Sequence, residues 1–249
     1  MNPWLSLAWL AGSLALLVPV TRWFGNGIRA LVLLPSGNTA AALYLHFALL
    51  LPGTLLHEVS HWLAANLLGV RTGRMQIGPQ PTATGAVRFG ALEYVRPDPL
   101  RESLIGVAPL LSGAGVVLMV ASWRLHLAPR AIVDLPSALD AARRAAAAQD
   151  AWVWVYLIVA VANAMLPSPA DRRGWPPVLL CLGVLLVVLL LTGALAHLPV
   201  GASAFVAALT ARLAFAFTLT IALDLIVGLA LWTVVLALGL LLNRRIVTC

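Results

Sequence analysis

The chain has 249 residues, 61% of them hydrophobic and 10% charged, and a mean hydropathy of +0.96. That composition excludes an ordinary soluble domain and points to an integral membrane protein whose first partner is the lipid bilayer. The formal net charge of +7 comes from 16 arginines with no lysine, and arginines flanking apolar segments serve membrane topology, so the basic excess does not imply nucleic acid.

Read in order, residues 4–20 are apolar and just long enough for a first span, and 21–38 read as a loop punctuated by Arg22, Arg29, Pro35 and several glycines, with Trp23 at the interface. A second helix over 39–70 carries Pro52-Gly53, which predicts a kink. Residues 72–99 change character: partial alternation of polarity, broken by Gly78-Pro79, Pro81 and Gly85, predicts one or two short hairpins near the membrane surface. Such a strand is either an ordinary surface element or an edge that receives an extended peptide. A third span covers 104–123, and Gly106-Val107-Ala108-Pro109 with Ser112-Gly113-Ala114-Gly115 permits close helix approach. Residues 124–150 form a polar linker with an amphipathic helix around 138–149. A fourth span, 152–166, starts in an aromatic anchor of Trp152, Trp154 and Tyr156 and is stopped by Pro167 and Pro169. A fifth span covers 178–198. The stretch 202–242 is too long for one perpendicular span and reads as a short helix with Arg212 followed by a span over 219–242 containing Asp224, which reads first as a structural partner of Arg212 or of a neighbouring helix. No internal repeat and no cleavable signal is evident, and Cys181 and Cys249 say little about redox compartment.

The expected fold is an all-α polytopic membrane protein of about six transmembrane helices, with a small membrane-associated β-hairpin region. Its organisation is an N-terminal helix and loop (1–38), a central core (39–174) and C-terminal helices (175–249). Six spans put both termini on one side. That side would hold nine arginines against six, which places the termini in the cytoplasm. A composition rich in Ala, Leu and Arg without Lys fits a prokaryotic cell membrane.

The chemistry centres on Leu55-Leu56-His57-Glu58-Val59-Ser60-His61-Trp62, an H-E-x-x-H motif inside an apolar run. On a helix, His57 and His61 are about one turn apart and project from one face, so both imidazoles can hold one Zn²⁺. Glu58 points beside that pair and can reach a water on the metal without ligating it, as a general base. An ionisable residue at bilayer depth is a functional candidate by default. His46 lies eleven residues before His57, about 16 Å along the axis, and reads as a core or interface histidine. A catalytic zinc needs a third protein ligand and one open position. Asp171, on irregular backbone at the end of the fourth span, is the leading candidate. Asp134, Asp140 and Asp150 lie in the linker on the opposite side, which leaves Asp224 as the competitor.

These features resemble the site-2 protease family of intramembrane zinc metalloproteases. The resemblance rests on His57, Glu58 and His61, the β segment after them, Gly106-Val107-Ala108-Pro109, and the run Asn163-Ala164-Met165-Leu166-Pro167-Ser168-Pro169-Ala170-Asp171, and it covers roughly residues 39–174. It implies that His57, His61 and Asp171 bind zinc, that Glu58 is the general base, and that Asn163 contacts substrate backbone or helps hold the intermediate. The implied reaction is hydrolysis of a peptide bond in or beside another protein's transmembrane segment. The chain departs from the family pattern in the placing of Pro167 and Pro169, in Arg172 after the aspartate, in Ser60 within the histidine motif and in Val107 before Ala108-Pro109. The linker is too short for a PDZ domain. The alternative reading is a non-proteolytic membrane scaffold or regulator that retains the fold. The departures near Asp171 support it, and Glu58 argues against it. Substrate and oligomeric state are not legible in the sequence.

Overall fold

The computed structural model describes residues 3–81, 87–128, 135–192 and 200–244. In chain order the elements are α1 (Pro3–Ser36), α2 (Thr39–Leu67), β1 (Thr72–Pro81), β2 (Val87–Tyr94), α3 (Pro99–Trp123), α4 (Leu135–Ala146), α5 (Ala151–Ala164), α6 (Trp175–Leu191) and α7 (Val200–Leu241). The protein is mostly helical with one small antiparallel sheet. Among the described residues, four helices, α1, α2, α3 and α7, are long and apolar enough to cross a bilayer. The number becomes five if α4 and α5, which meet at 109°, are taken as one broken span. Helix α6, Trp175–Leu191, is apolar along its 17 residues. Most of the expected fifth span is therefore this short helix, and residues 193–198 of that expectation lie outside the described residues.

Two expectations about breaks are corrected. The loop expected over 21–38 is helix almost to its end, and α1 runs unbroken for 34 residues. The break expected between Arg212 and residue 219 is absent, and α7 runs for 42 residues. Both corrections have one cause, the packing of α1 against α7. A Cβ on Gly27 would lie 2.9 Å from Leu231 Cδ2 and 3.0 Å from Trp232 Nε1, and one on Gly228 would lie 2.8 Å from Trp23 Cη2. Glycines that look like loop punctuation are thus the small residues that let two helices approach. Trp23 stacks on Trp232 at 6.2 Å.

The contacts also fix direction. Trp9 pairs with Thr218, Trp23 with Trp232, and Leu34 with Arg244, a nearly constant separation of 209 or 210 positions. Helices α1 and α7 therefore run parallel. The same holds for α2 and α5, where Tyr156 bonds the Leu49 carbonyl and His57 the Ala164 carbonyl, each 107 positions apart. Gly53, next to Pro52 inside α2, supports this second pair, because any Cβ there would collide with the backbone of Ala160. The main apolar core lies where α3, α5 and α7 meet, around Val117, Ile158, Met165 and Phe217, with Leu17 of α1 completing it.

The sheet is a single hairpin in which Met75 pairs with Leu92, Gln76 with Ala91 and Ile77 with Gly90, with an irregularity after Ile77 where Gly78 takes φ 137°. It packs on α2 and not on a second sheet, with Phe89 against His46 (5.2 Å) and Phe47 (5.9 Å). Asp98 starts α3 by accepting from the Leu100 and Arg101 amides (3.1 Å each), with Pro99 at the first position, so this helix begins five residues before the expected start.

Candidate metal centre

Helix α2 carries both histidines inward. His57 is half-buried, and His61 and Glu58 are buried (Glu58 5% exposed). The turn after α5 carries Asp171 to the same point. His61 Nε2 lies 3.2 Å from Asp171 Oδ1, His57 Nε2 lies 3.7 Å from Asp171 Oδ2, and the two Nε2 atoms are 3.1 Å apart. Tetrahedral ligands at zinc–nitrogen lengths of about 2.0–2.1 Å are separated by about 3.3 Å, so this cluster has the span a metal ion requires. Among the described residues it is the one group of three His, Cys, Asp or Glu side chains suited to an ion.

The tautomers strengthen the fit. His57 Nδ1 lies 2.7 Å from the Ala164 carbonyl and His61 Nδ1 lies 2.9 Å from the Ile105 carbonyl. A carbonyl only accepts, so both Nδ1 atoms carry the proton. In the neutral rings the two Nε2 lone pairs then face each other and a carboxylate, an arrangement that repels itself unless a cation lies between them.

Local sequence explains why those carbonyls are available. Ile105 is four residues before Pro109, which has no N–H to complete the helical bond, so the Ile105 oxygen is left for His61. Ala164 is the last residue of α5, and its carbonyl is one of the orphans at a helix end. The Ser168 amide, which a continued helix would have sent to Ala164, donates instead to Asp171 Oδ2 at 2.7 Å, and the Asp171 amide returns a 3.3 Å bond to Ser168 Oγ. Burial works against the charge on Asp171. The Ser168 amide, donating to Oδ2 at 2.7 Å, favours that charge.

Close approaches complete the centre. A Cβ on Gly106 would sit 2.9 Å from the Asp171 carbonyl carbon, and one on Gly113 would meet the Met165 side chain. Ser60, at a position where the resemblance expects glycine, bonds Ser112 Oγ at 2.5 Å and so ties α2 to α3. From the other side, Gly90 of β2 lies directly over Glu58, and a Cβ there would be 2.7 Å from the Glu58 carboxyl carbon. The centre opens into a cavity of about 590 Å³, walled by α2, β2 and the turn after α5, and reaching His46 and Phe89 at one end.

The structure thus brings His57, His61 and Asp171 together with Glu58 beside them. Asn163 lines the same cavity, but its amide is turned to Asp224 of α7 at 2.8 Å. Asp224, the expected competitor for the third ligand position, is fully buried and stands apart from the histidines, against Asn163. His46 is buried in the cavity wall and is not among the clustered donors. Sequence reading missed the carbonyls of Ile105 and Ala164, the amide of Ser168, and Gly90. Only Pro109 offered a signal, since a proline inside a helix releases the carbonyl four residues back. No family model, no curated protein and no solved structure matches the chain.

Proposed function

We propose that the protein is an intramembrane zinc metalloprotease of the site-2 protease type, hydrolysing peptide bonds in or near transmembrane segments of other membrane proteins. The observation that carries this is the pair of facing Nε2 atoms, 3.1 Å apart, with Asp171 closing the third side and Glu58 beside them. Two imidazoles and one carboxylate form a donor set that suits zinc and leaves one coordination position for the reaction. A zinc ion held there would supply Lewis-acid polarisation of a carbonyl and acidify water.

The chain's own residues do the rest. His57 and His61 are held in one tautomer by backbone carbonyls, so they offer nitrogen lone pairs without rearrangement. Asp171 is held by the Ser168 amide. Glu58, one residue along α2 from His57, takes a proton from the attacking water and later returns it to the leaving amine. A substrate helix must unwind before its carbonyls are accessible, and the β1–β2 hairpin, whose outer edges carry backbone donors and acceptors, would give the unwound segment partners beside the centre. Glu58 also weighs against a purely structural metal, which needs a fourth protein ligand and no base.

The parallel run of α1 and α7 bears on topology. If both cross the membrane in the same direction, the number of spans is odd, and the expected six does not hold. The Arg244 end of the chain then moves to the opposite face, nine arginines against six become seven against eight, and the arginine count no longer selects a cytoplasmic side.

The test is bound zinc per chain in detergent-purified protein, together with cleavage of membrane proteins from the same cells. About one zinc is expected in the wild type, lost in His57→Ala and Asp171→Ala and kept in Glu58→Gln, with cleavage abolished in all three. A Glu58→Gln protein that cleaves at the wild-type rate, or a folded wild type that binds no zinc when supplied with it, would overturn the reading.

A further inference from the structure

Asn163 was expected to touch substrate backbone or the intermediate, and its hydrogen bonds decide which kind of contact it can make. Its Nδ2 donates to the Val159 carbonyl at 3.0 Å and to Asp224 Oδ1 at 2.8 Å. An amide nitrogen has two hydrogens, so both are spent. The orientation is not open to exchange of nitrogen and oxygen: the Val159 carbonyl can only accept, so the atom facing it must be the NH₂ group. What Asn163 has left for the cavity it lines is its carbonyl oxygen, a pure acceptor.

We infer that Asp224 is a positioning residue that fixes Asn163 as a hydrogen-bond acceptor for a backbone N–H of an extended peptide, so that Asn163 does not donate to an oxyanion. The inference rests on the protease reading for its ligand but not for the Asn163–Asp224 pair itself. It also makes the C-terminal helix part of the site. Asp224 comes from α7, outside the 39–174 core expected to hold the chemistry, and is fully buried where α7 faces α5. An acidic side chain at that depth in an apolar helix has few structural uses, and the bond to Asn163 gives it one tied to the cavity.

The pair is tested without activity. In protein labelled with ¹⁵N-asparagine, the Asn163 side-chain amide, identified by its loss in Asn163→Leu, is expected to exchange its hydrogens at least tenfold more slowly than the exposed asparagines. Asp224→Asn keeps an acceptor and should preserve that protection, and Asp224→Leu should remove it. An amide that exchanges freely in the wild type, or that ignores Asp224→Leu, overturns the inference. The ligand is tested on zinc-loaded protein with a short peptide hydroxamate and its analogues N-methylated at one backbone amide at a time. One methylation should weaken binding about five- to tenfold in the wild type and in Asp224→Asn, but have little effect in Asn163→Leu or Asp224→Leu. Acetohydroxamate, which has no peptide backbone, should bind all four proteins alike. A methylation penalty unchanged by Asn163→Leu, or lost acetohydroxamate binding in Asp224→Leu, refutes the acceptor role. A wild type that takes up no zinc refutes the metal reading instead, and the amide exchange then decides the pair alone.

Discussion

Gly106 is not a ligand, yet replacing it with alanine should damage the metal centre. The added methyl would lie 2.9 Å from the carbonyl carbon of Asp171 and closer still to its oxygen. Carbon atoms in contact rest at about 3.5–4.0 Å, so the turn bearing Asp171 must retreat by at least about 0.6 Å. Zinc ligand distances tolerate only about 0.2 Å. The retreat is therefore about three times what the centre can absorb, and zinc affinity should fall about 10–100-fold. Helix propensity works the other way, because alanine is favoured over glycine by about 1 kcal/mol in a helix interior. A weakened centre in a chain that stays folded therefore points to the displaced aspartate. The assay is a competition titration against a chromophoric zinc chelator, with thermal unfolding run in parallel. Gly115→Ala is the control, since it adds the same methyl to the same helix where no atom lies within 4 Å. A folded Gly106→Ala protein with wild-type zinc affinity would refute the argument that this close approach sets the position of Asp171.

Three further outcomes follow from the same geometry. Pro109→Ala restores an N–H that competes with His61 for the Ile105 carbonyl, so zinc affinity should drop about tenfold by the same titration. Gly90→Ala places a carbon 2.7 Å from the Glu58 carboxyl carbon and should push the proposed base aside. Zinc content should hold while cleavage falls by about 100-fold, and parallel losses of both would count against a role confined to Glu58. Gly228→Ala drives a methyl into Trp23 and should cost about 1–3 kcal/mol in thermal unfolding while leaving zinc affinity alone, because neither Trp23 nor Gly228 lines the cavity of the centre.

The sequence by itself determined whatever one helical turn or one run of apolar residues can encode. Residues 55–62 read as a metal-binding turn because four-residue spacing places His57 and His61 on one face, and that relation survives any tertiary arrangement. Hydropathy marked the membrane-crossing character, and broken alternation marked the hairpin after α2. What lay beyond its reach depended on contacts between residues far apart in the chain. Gly25 and Gly27 read as loop signals because a glycine looks the same in a turn and in a tight helix contact, and only the presence of Leu231 and Trp232 beside Gly27 decides between them. The direction of α7 relative to α1 has no local signature, so the span count and the placing of the termini could not be read from periodicity. Asp171, on irregular backbone before Arg172, and Asp224, within an apolar run, were the two candidates for the third ligand. The tertiary structure separated them, bringing one to the histidines through Gly106 and the turn after α5, and burying the other against Asn163. The second ring of the site, the carbonyls of Ile105 and Ala164, consists of backbone atoms common to every residue. Packing alone selects which of them a histidine meets.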